Sequence, residues 1–307
     1  MLKSNNGNAL VMMAFILSLL VALTGLVVDG GRLYLQKGEL QKAIDSAALA
    51  GVQQVKNGQI KAVNAAIELA AANGTSLNSS NITVGSDSVE IHNEVPVEMT
   101  FAKVLGFGSI DVSATSKAVV DTSRGIRKHS NVIPVGIPKD NLVKGQTHTL
   151  HFTPGEGSNG PQQGNFGFLA IGGRGAANLE DNIANGIEVE ITPGSYVLTE
   201  PGLQWGKVRS GFQERISKDA TKAYCNQFST ATSACERVAI LPIVNDLGSV
   251  NGRGKVEIIG FAAFWIEKVE PNGGNKSVSG YFIDIVSSGE FSKDVENFGI
   301  STIKLVN

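Results

Sequence analysis

LVVDGGRLYLQKGELQKAIDSAALAG, residues 26–51, decides how this chain is read. An apolar run ends on Asp29, passes two glycines and Arg32, and continues in a different pattern. Beyond the junction Leu33, Leu40, Ile44, Ala47, Gly51 and Val55 fall on one side of a helix turning about 100° per residue. Glu39, Lys42, Asp45 and Ser46 lie opposite, with Leu35 an outlier among them. That is an amphipathic helix whose apolar stripe needs a core.

Working back from Asp29, no charge occurs until Lys3, and Ala9 to Val28 reads ALVMMAFILSLLVALTGLVV. About twenty helical residues rise ~30 Å, the thickness of a hydrocarbon core. A cleaved export signal has a shorter apolar region of ~7–15 residues and a small-residue cleavage site. The longer run predicts an uncleaved single-pass anchor. Ala14, Ser18, Ala22 and Gly25 form a small-residue face along it, a helix–helix association surface in a bilayer. Asp29, Gly30, Gly31, Arg32 and Tyr34 form a membrane-interface junction, with Gly30–Gly31 a place for a bend.

Orientation has arguments on both sides. Arg32, Lys37 and Lys42 outnumber Lys3, which by the positive-inside rule opposes a cytoplasmic amino terminus. A short tail crosses in either direction, however. The cysteine pair and the lack of any cytosolic enzyme motif favour a cytoplasmic amino terminus. The expectation is a cytoplasmic-membrane protein with its bulk extracytoplasmic, periplasmic or at the cell surface.

Working forward, a second helix is expected over Gln59–Ala72, stopped by Asn73–Gly74. Strands follow at Asn81–Val84, Ser88–Ile91 and Val95–Met99, then a helical turn within Phe101–Phe107 and a strand over Ser109–Val120. DTSRGIRKHSN, Asp121–Asn131, is polar and basic and reads as a linker. From Val132 onward short apolar runs alternate with Gly, Pro and Asn clusters, which suggests a β-sandwich or barrel. Helices are expected there at Ala177–Asn185 and Gln213–Tyr224. The class is therefore α+β: anchor 1–28, small α+β domain 29–121, linker 122–131, and a mainly β domain 132–307.

Composition narrows the function. Charged residues make up 18%, below a typical ~25%, and the net charge of −2 leaves no basic footprint for nucleic acid. Cys225 and Cys235 bracket a polar loop; a disulfide closing it is the expectation if the segment lies outside the cytoplasm, with two separate buried thiols the alternative. His148 and His151 are three apart in HTLHF, on opposite faces if this is a strand. No H-E-x-x-H, G-x-S-x-G or P-loop pattern occurs. No catalytic residue, metal site or cofactor is expected.

Residues 7–52 resemble the amino-terminal module of TadE/G-like (TadG-like) proteins of the Flp/Tad pilus-assembly system. Asp29, Gly31, Arg32 and Tyr34 match the family's D-x-G-R-x-Y junction. Leu40, Gln41, Ala43, Asp45, Ala47, Ala48, Leu49, Ala50 and Gly51 match its L-Q-x-A-x-D-[AS]-A-A-L-A-G block. Residues 101–120 look like the segment closing the family's first domain, and 164–173 and 237–247 look like extracytoplasmic regions of some members. The resemblance implies a membrane-anchored accessory of pilus assembly that works through other assembly proteins or pilin. Longer members carry a metal-dependent adhesion motif; here D-T-S at 121–123 meets Gly125 where a second Ser belongs. Prepilin-type processing wants a Glu at the fifth position after the glycine, and Met12 stands there after Gly7. The alternative functions are a surface-anchored adhesin or binding module and, behind it, an exported enzyme. Oligomeric state is not readable.

Overall fold

Helix α1, Asn6–Gln53, is 48 residues long and carries both halves of the opening sequence without interruption. At ~1.5 Å per residue it extends about 72 Å, more than twice a ~30 Å hydrocarbon core. Gly30 and Gly31 lie within the continuous helix, and open space surrounds them where side chains would begin. In this computed structural model the described residues are 6–122, 124–139, 142, 144–152, 165–191, 194–202, 204–248, 250, 252–271 and 276–306. The chain divides into two compact units, residues 1–119 with 304–307, and 120–303. It is α+β with a mainly β carboxy-terminal part.

In the first unit the amphipathic stripe of α1 becomes core: Leu40, Ile44, Ala47, Gly51 and Val55 are all buried. Helix α2, Gln59–Ala72, buries Ala62, Ala66 and Ala70, one small residue per turn. A Cβ on Gly51 would lie 3.1 Å from the Ala62 carbonyl, so the two helices meet closely where a side chain would force them slightly apart. Strands β1 (Ile82–Val84), β2 (Ser88–Glu98) and β3 (Ser109–Asp121) form an antiparallel ladder, with Val89 opposite Ala118. The two strands expected at 88–91 and 95–99 are one. Asn93 occupies an inward position between Ile91 and Val97, and its side chain donates to the Ser76 carbonyl at 3.4 Å. A buried amide there satisfies its hydrogen bond locally and breaks the apolar alternation that marks a strand.

The second unit contains β4 (Gly125–Val132), β5 (Ile137–Pro138), β6 (Thr147–His151), β7 (Asn165–Leu169), α3 (Ala176–Asn185), β8 (Ile187–Glu190) and β9 (Tyr196–Pro201). It continues through α4 (Trp205–Lys218), β10 (Val238–Val244), β11 (Lys255–Val269), β12 (Ser277–Ile283), β13 (Ile285–Val286) and β14 (Glu290–Ser292) to the start of β15 (Ile300–Val306), whose residues from Lys304 onward belong to the first unit. The main sheet runs β14-β4-β10-β11-β12-β6 and is mixed: β10 is antiparallel to β11 but parallel to β4 and β5. All seven residues of β10 are buried. Ala239, Leu241 and Ile243 face a core shared with Leu179 and Ile183 of α3 and Val208 and Phe212 of α4. Val238, Ile240 and Val244 face the other core, with the two cysteines. Coverage on both faces explains why VAILPIV is continuously apolar instead of alternating.

Two expectations need correction. The stretch read as a linker contains β4, which pairs antiparallel with β8 and sets its basic charges beside acidic partners there. Arg127 pairs with Glu190 and Lys128 with Glu188, both at 3.0 Å. Helix α4 begins at Trp205, eight residues before the expected start. A Cβ on its interior Gly211 would sit 2.7 Å from the Glu180 carbonyl, so glycine lets α4 press against α3.

Arg215 of α4 is fully buried, and its hydrogen bonds go to carbonyl oxygens. Its guanidinium donates to the Ile183 carbonyl, to the Glu236 carbonyl at 2.9 Å and to Asn131 Oδ1 at 2.6 Å. Burial pulls its pKa down to about 10, which leaves it charged at neutral pH. Arg215→Met would orphan three acceptors, and thermal denaturation of the purified protein should show a loss of about 3 kcal/mol. His129 is buried beside Ser287 Oγ at 2.7 Å, and desolvation holds its pKa below 6.5. The unfolded chain therefore binds the extra proton first. Stability from this group is present above about pH 6.5 and falls as pH drops through the folded pKa. His129→Gln should flatten that acid limb in chemical denaturation between pH 5 and 7, roughly the range of ordinary histidine titration.

Candidate functional site

Asp29 is 5% exposed although it ends a run of apolar, outward-facing residues. Its carboxylate accepts three consecutive backbone N–H groups from the loop joining β2 to β3: Thr100 at 2.9 Å, Phe101 at 2.9 Å and Ala102 at 2.7 Å. The loop then makes one 3-10 turn over Ala102–Leu105. The first amides of such a turn have no internal partner, and Asp29 supplies the acceptors from another element. Arg32, one turn further along α1, donates to Thr100 Oγ1 at 3.5 Å.

Gly25, one turn before Asp29, is covered by Phe101. A Cβ at Gly25 would lie 2.6 Å from Phe101 Cβ, so only glycine admits the ring here. Between the helix and the loop lies an apolar cleft of about 400 Å³, bordered by Ser18, Ala22, Gly25, Met99, Val104 and Ile110. Lower on the same unit, Lys37 and Gln41 of α1 donate to the carbonyls of Ser113 and Thr115 on β3.

The junction residues thus have distinct surroundings. Asp29 and Arg32 contact the loop, Gly30 and Gly31 face open space, and Tyr34 is exposed. Of the small-residue face, Ala14, Ser18 and Ala22 are exposed, whereas Gly25 is taken up inside the chain. Ser18 Oγ donates to the Ala14 carbonyl at 2.8 Å, satisfying its hydroxyl within the helix. Sequence reasoning missed Thr100, Phe101 and Ala102. Their contribution is backbone N–H, which no side-chain pattern announces.

Cys225 and Cys235 are joined by a disulfide whose Cα atoms are 5.5 Å apart. Trp265 Nε1 donates to the Cys225 carbonyl at 2.8 Å, and Arg237 stacks over the Trp265 ring at 4.9 Å. Asp219 lies close to both sulfurs, and among the described residues this is the grouping with metal-like spacing. Zinc would need the two sulfurs as thiolates, and they are bonded to each other. His148 packs edge-on against Phe282 at 5.1 Å, in an aromatic contact; the His151 side chain lies outside the described residues.

Residues 7–54, nearly the whole of α1, match the Tad family model, described as "Putative Flp pilus-assembly TadE/G-like". The match covers about one sixth of the 307 residues. It contains Asp29 and Gly25 but ends before the loop they hold. No curated protein and no solved structure matches the chain.

Asp29→Ala should free the loop. Hydrogen exchange by mass spectrometry should then show the amides of residues 100–102 exchanging about tenfold faster, while α2 is unchanged. Gly25→Leu should have the same local effect by displacing Phe101. Reduction of the disulfide, which closes a sequence separation of 10, should cost about 3 kcal/mol and lower the thermal midpoint.

Proposed function

We propose that the chain is a membrane-anchored accessory of Flp/Tad-type pilus assembly, acting by protein–protein contact outside the cytoplasmic membrane and without catalysis. The observation that carries this is the coincidence of the family match, 7–54, with a helix long and apolar enough to cross a membrane. The apolar part of that helix buries almost nothing within the protein, as expected for lipid-facing residues and unlike the core helix of a soluble domain. The disulfide supports placing the bulk of the chain in an oxidising compartment, with the amino terminus cytoplasmic.

Ala14, Ser18 and Ala22 remain the face through which the anchor would meet a neighbouring helix. Association there would leave the soluble units available to pilin or other assembly proteins. Crosslinking in intact cells followed by purification from membranes should recover pilus-assembly proteins with the full chain. Replacing Ala14, Ser18 and Ala22 with Leu should reduce an in-membrane association signal several-fold, since the larger side chains hold two helix backbones apart. Normal piliation by electron microscopy in a strain lacking the gene would count against the proposal.

A further inference from the structure

We propose that the loop between β2 and β3, residues 100–108, enters the membrane interface beside the anchor and seats Phe101, Val104 and Phe107 among headgroups and upper acyl chains. This rests on the reading of α1 as a membrane anchor.

The loop sits against the apolar part of α1. Phe101 packs on Gly25, inside the apolar run, and Asp29 holds the backbone of the next residues. Gly25 lies three residues before Val28, about 4.5 Å along the axis at ~1.5 Å per residue. Leu26, at the same level, is 73% exposed. If that turn of α1 is in lipid, the ring against it is at lipid depth as well.

Val104 is 87% exposed and Phe107 60%, whereas Val89, Ile91 and Val97 of the adjoining strand are buried. The exposed apolar residues gather at the hairpin end nearest the anchor. Lys103 is the loop's charged residue, and its stem is long enough to bring the ammonium to phosphate level.

Backbone groups leaving water must be hydrogen-bonded, or each costs several kcal/mol. Met99 N–H donates to Gly108 O, Val104 to Phe101 O, Gly106 to Lys103 O and Phe107 to Ala102 O, at 3.0–3.1 Å. Thr100, Phe101 and Ala102 donate to Asp29. The same contacts screen the Asp29 carboxylate, which would otherwise be an uncompensated charge at the membrane's edge. A bilayer is favoured over a protein partner because the surface continues that of the anchor.

The experiment uses the full chain in phosphatidylethanolamine–phosphatidylglycerol vesicles. Single cysteines are placed at Val104, Phe107, Leu17 and Ser86 and labelled with an environment-sensitive fluorophore; the native pair is oxidised and does not react. Lipids carrying a nitroxide at a shallow or a deep acyl position act as quenchers. The proposal expects V104C and F107C to be blue-shifted and quenched by the shallow nitroxide, L17C by the deep one, and S86C by neither. Quenching of L17C without any at V104C and F107C overturns the loop proposal and leaves the anchor intact. No quenching at L17C overturns the anchor reading, and the loop proposal with it.

Discussion

The carboxylate of Asp29 receiving three backbone amides is the contact on which the first unit's organisation turns. Each side answers a need of the other. The 3-10 turn begins with amides that have no partner in the turn, and the buried aspartate at the end of the apolar segment needs donors. The hairpin end is thereby fixed against the last turns of the apolar helix. Gly25 then becomes obligatory, because the loop brings Phe101 within 2.6 Å of where a side chain would start.

Because α1 is unbroken, the phase of one half sets the phase of the other. Ala14, Ser18, Ala22, Gly25 and Asp29 follow spacings of three and four, and the series continues through Leu33, Leu40, Ile44, Ala47 and Gly51. One stripe thus runs from the soluble core, through the loop contact, into the apolar segment. The small-residue face lies on the side of α1 that carries the sheet and the loop. A bend at Gly30–Gly31 would have broken that registration. These glycines instead leave the surface beside Asp29 bare.

Much of the architecture was legible in local pattern. The core stripe of α1, the whole of α2 and the turn after Phe101 follow from periodicity and stop signals, and the junction residues carried the resemblance that the match over 7–54 supports. What escaped has a common cause. Asn93, Arg215 and Asp29 are polar residues at buried positions, and each finds backbone carbonyls or amides of a distant segment. Hydropathy assigns such residues to the surface, so the strand broke at Asn93 and the contact of Asp29 with residues 100–102 went unread. Arg127 and Lys128 misled in the opposite direction: their partners, Glu188 and Glu190, are some sixty residues away, so a paired strand resembled a solvated linker.

Partner type decides which of these errors affects function. A side-chain pair such as Arg127–Glu190 is exposed and contributes at most ~1 kcal/mol, so its omission leaves the fold's logic intact. A buried polar group bonded to backbone is different, because its removal leaves orphans on both sides. At Arg215 those orphans would lie inside a core, where the consequence is stability. At Asp29 they would lie at the end of the apolar segment beside an exposed loop, where the consequence is the loop's place relative to α1. The same chemistry serves packing in one unit and positioning in the other, and the setting of each residue separates the two roles.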